Sequence, residues 1–409
     1  MNNTKLWTKD FVLISLTNFF IALPFYLLMT TVAVYVIERF NATQSLAGLA
    51  AGIFVIGALI SRLLAGKYME IIGRKKLLFT SLVLFLLSTL LYFPVDSLNL
   101  LLVVRFIHGI AFGVSTTIVS TAVMDVIPPE RRGEGTGYYS LSMTLATAIG
   151  PFLGLIIIQH ADYTMIFVAC ALFSAISIII TIITRIPEAQ ITKEQIAAIK
   201  RFRLQELFEK SAVPLSTIIL ITIVGFSGIV SFLNAYAISI HLTTAASFFF
   251  IVYSVSILIS RPFTGRLLDI KGDNTVMYPA LLIFASSLAI LSQAGHGSAL
   301  LVAGGLAGLG FGTFMSCGQA IIIKGSPKHR IGLATSTFFF FMDTGMGIGP
   351  YLVGSIIPMA GFRGMYMTLA AVVFICVFLY YFMHGKQAGK ESLQTAMVSL
   401  PDSESQQQV

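Results

Sequence analysis

Apolar residues in this chain run in long blocks instead of alternating with polar ones. The blocks fall near 11–37, 45–65, 77–94, 98–124, 134–159 and 163–184, and again near 214–236, 244–263, 277–294, 298–323, 332–357 and 362–384. About twenty apolar residues, at a helical rise of 1.5 Å each, cross the hydrocarbon core of a bilayer. Each block is therefore taken as one span, and the period-two pattern of a barrel strand is missing. The pattern predicts an all-α integral membrane protein with twelve transmembrane helices. The first block is too long for a signal-peptide core and lacks a small-residue cleavage site, so it reads as the first span.

Two polar stretches punctuate the blocks, and they divide the chain into residues 1–184, a linker at 185–213, residues 214–384 and a tail at 385–409. Within the linker, Ile196, Ile199, Phe202, Leu207 and Phe208 recur at roughly helical spacing among basic neighbours. Two readings stand: an amphipathic helix on an anionic membrane surface, or a solvated linker helix. The polar tail, ending in Gln406, Gln407, Gln408 and Val409, is expected to be disordered.

Composition agrees with a lipid solvent: 56% of residues are hydrophobic and 11% charged, against about 25% charged in soluble domains. The formal charge of +8 raises the question of nucleic acid. With the N-terminus placed inside, however, the basic residues between spans gather on one side, among them Lys67, Arg74, Lys75, Lys76, Arg131, Arg132, Arg266, Lys271, Lys328 and Arg330. Only Arg39 and Arg363 fall on the other. This positive-inside asymmetry puts both termini in the cytoplasm and accounts for the charge without nucleic acid. Cys170, Cys317 and Cys376 all lie inside apolar blocks, as packing residues do, and no metal site or cofactor is expected.

The chain also contains an internal repeat. The segment from Ser61 to Gly73 (SRLLAGKYMEIIG) matches Ser260 to Gly272 (SRPFTGRLLDIKG) at an offset of 199 residues. The same offset relates Gly109 to Gly308, Phe112 and Gly113 to Phe311 and Gly312, Pro128 to Pro327, Arg131 to Arg330, and Gly150-Pro151 to Gly349-Pro350. Six spans precede the second copy, so both copies cross in the same direction. The expected architecture is two pseudo-symmetric six-helix bundles about an axis along the membrane normal.

The loop after the second block, Gly66 to Lys76, carries a glycine, an acid four residues on, a second glycine and a basic cluster. It resembles the signature loop of the major facilitator superfamily, with Glu70 where that family usually has Asp and Ile71 where a basic residue is common. The resemblance covers essentially the whole chain and implies a drug:proton antiporter-like exporter. In the family this loop latches the cytoplasmic sides of the two halves. Gly66, Glu70, Gly73, Arg74, Asp125 and Arg131, with the repeat mates Gly265 and Asp269, are therefore candidate gate residues. For Arg74 and its basic neighbours, plain positive-inside anchoring is the competing reading.

Arg105 and His108 lie inside the fourth block, where an arginine costs about 2.5–3.5 kcal/mol unless it faces protein or water. The segment resembles the family's fourth-helix arginine element, implicated in proton coupling, with His108 in place of the usual Gln. His108 reads as a proton carrier, a hydrogen-bonding ligand, or a packed histidine satisfied by a carbonyl. The fifth block resembles the family's exporter element through Gly137, Ala146, Gly150, Pro151 and Gly154. Ala146 stands for its middle glycine, and Leu155 replaces a final one. Small residues there permit close helix packing, and proline bends the helix.

Asp343 follows a run of Phe residues about eleven positions into its block, which is about 16 Å deep. It reads as an isolated acid at the midplane: a proton site, or a neutral Asp bonded to a neighbouring helix. Asn18, Tyr26, Tyr138, Tyr139, Met143, Asn234 and Tyr236 fall in spans that line the cavity in this family.

No GxxxxGK[ST] phosphate loop occurs, which disfavours ATP as an energy source, and no paired catalytic groups suggest an enzyme. The expected partners are the lipid bilayer, protons and a small-molecule substrate, with the chain acting as a monomer in the cell membrane. Proton-coupled efflux of amphipathic molecules or drugs leads. Export of a metabolite such as a metallophore or sugar comes next, and uptake after that.

Overall fold

The computed structural model describes residues 5–128, 131–188, 208–327 and 330–388. Among the described residues the chain is all-helical. The helices are α1 (Lys9–Phe40), α2 (Gln44–Ile72), α3 (Arg74–Leu90), α4 (Leu98–Val126), α5 (Arg132–His160) and α6 (Tyr163–Ile183). After the linker come α7 (Val213–Ser239), α8 (Thr243–Lys271), α9 (Asp273–Ser292) and α10 (Gly297–Lys324), the last containing a π-helical turn at Gly308–Gly312. A final helical run, Ile331–Tyr380, is broken at Gly361, whose φ of 66° and ψ of 177° divide it into α11 (331–360) and α12 (362–380).

Among the described residues, ten helical stretches are long and apolar enough to cross a membrane, the last of them running through the Gly361 break. The α3 helix has 17 residues, about 26 Å at 1.5 Å per residue. The expected amphipathic linker helix falls almost entirely on 189–207, outside the described residues, as do 389–409 of the tail. The tail expectation needs one correction, because helix continues through a π turn at Tyr381–Gly385 and on to Ala388.

Local chemistry explains the helix starts and turns. Thr8 Oγ1 accepts from Phe11 N at 3.2 Å and Thr43 Oγ1 from Leu46 N at 3.3 Å, so each satisfies one free N–H of a first turn. The α2–α3 turn depends on Gly73 (φ 97°) and the α8–α9 turn on Gly272 (φ 79°), a left-handed backbone that favours glycine. These two are repeat mates at the 199-residue offset, so the duplication is visible in the backbone as well as in the sequence.

Within the first repeat unit, α2 packs on α4 and α1 on α5 and α6; in the second, α7 packs on the α11–α12 run and α10 on α8 and α9. The units meet where α2 packs on α11, α5 on α8 and α1 on α7. The α2–α11 seam is tight toward the Asn41 end of the bundle. A Cβ added to Gly52 would lie 1.8 Å from Gly347 O, and one on Gly48 would lie 2.0 Å from Pro350 O. Toward the Gly73 end, Gly66, Gly137 and Gly265 have nothing within 4 Å of that position. On α2 the close approach to the second unit is therefore made at Gly48 and Gly52, not at the candidate gate residue Gly66.

Candidate functional site

The charged groups buried in the apolar part of the bundle define the site. Arg62 on α2 lies ten residues before the end of its helix, about 15 Å from the Gly73 turn. Its Nη1 stands 3.1 Å from Asp343 Oδ2 on α11, and the two side chains are 23% and 6% exposed. The pair crosses from one repeat unit to the other. It is an ion pair without aligned hydrogen bonds: Asp343 Oδ2 and Arg62 Nε have no hydrogen-bond partner. Asp343 is thus not the isolated acid expected from the sequence, because a cation from the other repeat unit faces it.

Around this pair lies a polar layer. Tyr26 on α1 and Tyr139 on α5 stand close enough to Arg62 to feel its charge, and Thr147 on α5 lies beside the Tyr26 hydroxyl. On the far side, Arg261 of α8 donates from Nη1 to Ser140 Oγ on α5 at 3.1 Å and shares an electrostatic contact with Tyr253. In this layer two bridges join the repeat units, Arg62 to Asp343 and Arg261 to Ser140; elsewhere Gln159 Nε2 of α5 donates to Ser247 Oγ of α8 at 2.9 Å. Arg62, Arg261, Ser140, Thr147 and Tyr253 had not been singled out as site residues. The available signal was an arginine inside an apolar block, the same signal that marked Arg105.

Arg105 and His108 lie elsewhere, in the core shared by α2, α3 and α4, and both are fully buried. Arg105 donates from Nε to Ala50 O at 2.8 Å and from Nη2 to Ala51 O at 3.0 Å, with its guanidinium 4.9 Å over the Phe54 ring. These bonds tie α4 to α2. His108 meets Tyr92 OH through Nδ1 at 3.1 Å and Thr89 Oγ1 through Nε2 at 3.3 Å, between the rings of Phe54 and Phe85. Both its nitrogens find side-chain hydroxyls, not the backbone carbonyl considered above.

The other singled-out residues separate into groups. Asn18 Nδ2 donates to Ser142 Oγ at 2.8 Å, joining α1 to α5 near Met143, which packs on Ala22, Leu23 and Ala146. Tyr138 turns away from the polar layer: it is exposed, packs on Trp7 at 4.8 Å and lines an apolar groove between α1 and α5. Tyr236 is buried against Phe362 and Tyr366 and donates to Leu291 O at 3.0 Å, while Asn234 is buried with Nδ2 unpartnered. On the exporter-like helix, Gly150 and Gly154 press on α1 at Leu23, Tyr26, Leu27 and Thr31, beside the helix-internal Pro151, whereas Gly137 has open space.

At the Gly73 end charged groups gather around Arg74. Its guanidinium bonds Glu70 at 2.8 and 2.9 Å and also pairs with Asp125. The Glu188 carboxylate accepts from Arg74 N at 2.7 Å and Lys75 N at 2.9 Å, capping α3 where its N–H groups point. Arg131 pairs with Glu134 at 2.8 Å, one turn into α5. Glu70, Arg74, Asp125 and Glu188 all lie within the first repeat unit or the start of the linker, so this arrangement braces α2, α3 and α4 against one another and does not reach the second unit. Asp269, the mate of Glu70, is exposed. At the second unit, Arg330 pairs instead with Glu209, near the end of the linker, at 2.8 Å.

These features, a multi-pass helical chain with an internal repeat and a charged layer at the repeat interface, describe a membrane transport protein. The sequence profile of the Major Facilitator Superfamily matches residues 14–290 and 243–401, and the chain belongs to that family. It is 25% identical over 367 residues to an uncharacterized MFS-type transporter of Methanocaldococcus jannaschii, covering 88% of this chain and 94% of that one. It is 22% identical over 358 residues to the staphylopine export protein of Staphylococcus aureus, covering 83% and 87%. Among solved structures, the nucleoside transporter NupG superimposes with a TM-score of 0.76 at 14% identity, over 92% of this chain and all of that one. A POT family transporter does so with a TM-score of 0.77 at 12% identity, over 92% and 96%. At such identities these structures speak for the fold alone.

Proposed function

We propose that this transporter is a proton-coupled exporter of amphipathic small molecules, working by alternating access as a monomer in the cell membrane. Its two six-helix units, 1–184 and 214–384, rock about the seam between them, with both termini on the cytoplasmic face. Twelve crossings follow when the 17-residue α3 and the two parts of the Gly361-broken run are each counted as a span. The observation that carries the reading is the Arg62–Asp343 pair joining the two repeat units inside the apolar bundle. A carboxylate there holds Arg62 while charged and lets it go when protonated, so a proton can be exchanged for a change in the contact between the units. In this scheme Arg105 is a positioning residue that holds α2, and with it Arg62, against α4, while His108 fastens α4 to Thr89 of α3 and to Tyr92.

The full-length likeness to a staphylopine export protein favours a second reading, in which the chain exports one endogenous metabolite. Everted vesicles with an acidified lumen separate the two. Loading of several unrelated amphiphiles supports broad efflux, and loading of one compound class supports the metabolite reading. Loading that survives collapse of the pH gradient rules out proton coupling in either form.

A further inference from the structure

The repeat that aligns Arg62 with Arg261 also aligns Asp343 with Thr144. One arginine therefore has a carboxylate and its mate has none. Among the described residues Arg261 donates to the Ser140 hydroxyl alone, at 3.1 Å, and its Nε is buried without a hydrogen-bond partner. Among the described residues no carboxylate lies within 4.0 Å of it. The neighbouring Tyr26, Tyr139 and Tyr253 bring hydroxyls and no charge. Counted together, Arg62, Arg261 and Asp343 leave this layer with one uncompensated positive charge. A guanidinium in an apolar bundle needs an anion, and the described residues supply one on the α2–α11 side only.

We propose that Arg261 is the receptor for a carboxylate of the transported solute, which enters between α5 and α8 and takes the place that Asp343 holds beside Arg62. The planar fork of the guanidinium matches a carboxylate with two parallel N–H donors, and Nε is one of them. The bound solute would complete the second bridge between the repeat units, so its binding and the rocking of the units would be coupled. The preferred cargo is accordingly an amphiphile with a carboxylate, anionic or zwitterionic, and not a simple cation. This inference rests on the transporter reading given above.

Three matched probes test it with the purified full-length chain in detergent: dansylglycine, its uncharged amide, and the cationic dansylcadaverine, titrated by fluorescence at constant chloride. The carboxylate should bind about tenfold more tightly than the amide, in line with a charge-assisted bidentate contact. Arg261→Gln should bring the two within about twofold of each other. Thr144→Asp, which gives Arg261 an internal partner, should turn the preference toward dansylcadaverine. Equal binding of the three probes, no binding of the carboxylate, or a preference that survives Arg261→Gln in a folded variant overturns the proposal. Competition by chloride in place of acetate would assign the site to an inorganic anion and overturn it as well. Gradient-driven flux of the same probes into proteoliposomes keeps the two readings apart. An Arg261-dependent preference without flux removes the transport mechanism and leaves the site, and flux without preference does the reverse.

Discussion

Replacing Asp343 by Asn keeps the shape of the side chain and removes the charge that faces Arg62 at 3.1 Å. Breaking a fully buried pair from one side costs about 3–5 kcal/mol, because the other charge is stranded. The Arg62 side chain keeps 23% of its surface, so water recovers part of that, and about 1–3 kcal/mol is the expected loss. The pair joins α2 to α11, so the loss falls on the conformation in which these helices are held together. A coupling of that size moves the balance between conformations by about 5- to 150-fold. The assay is loading of everted vesicles with an acid lumen, run beside substrate exchange at equal pH. Loading in Asp343→Asn should fall to background, since Asn cannot give up a proton, while exchange continues. Loading at the wild-type rate would refute the coupling role. A thermodynamic cycle adds a second check: Arg62→Gln combined with Asp343→Asn should be no less stable than Asp343→Asn alone. Additive losses would mean that the two side chains do not interact.

Three further outcomes are expected. Arg105→Lys should lower the thermal unfolding midpoint in detergent by the equivalent of about 1–3 kcal/mol, because an ammonium cannot hold both the Ala50 and Ala51 carbonyls in the same geometry; an unchanged midpoint would show that those bonds carry no weight. Gly52→Val should drive α2 from α11, since its Cβ would meet Gly347 O at 1.8 Å. A Gln44→Cys reporter should then react faster with a soluble maleimide, and an unchanged rate would refute the seam. Enzymatic reporters fused after Val409 should be active only when left in the cytoplasm; activity on the opposite face would reverse the proposed orientation.

Sequence periodicity carried much of the fold because lipid imposes it residue by residue: each helix starts within four residues of its apolar block, although α2 and α8 run on past theirs, to Ile72 and Lys271. The repeat was legible for the same local reason, since Gly73 and Gly272 occupy turns that need a positive φ. The partner of Asp343 was harder to see. Arg62 and Asp343 sit on helices far apart in the chain, and which faces of α2 and α11 meet is decided by the glycine contacts at 48 and 52. An insertion cost identifies an arginine that needs a partner without saying which helix provides it. Tyr138 and Tyr139 show the same limit at shorter range. They are adjacent in sequence, yet one packs on Trp7 at the surface and the other stands near Arg62, because successive helical positions point about 100° apart.

The α2–α11 seam has a mechanical consequence. Helices locked by interdigitated side chains must change many rotamers to part, and a dense interior resists that. At Gly48 and Gly52 the contact is backbone against backbone, with no side chain on the glycine side to be pulled from a socket. At these two positions the surfaces can part without drawing a side chain from a socket, and the Ile56 side chain against Gly347 is the interlocking contact beside them. On the proposed mechanism, what holds such a joint shut is electrical more than steric, with the Arg62–Asp343 pair as its catch.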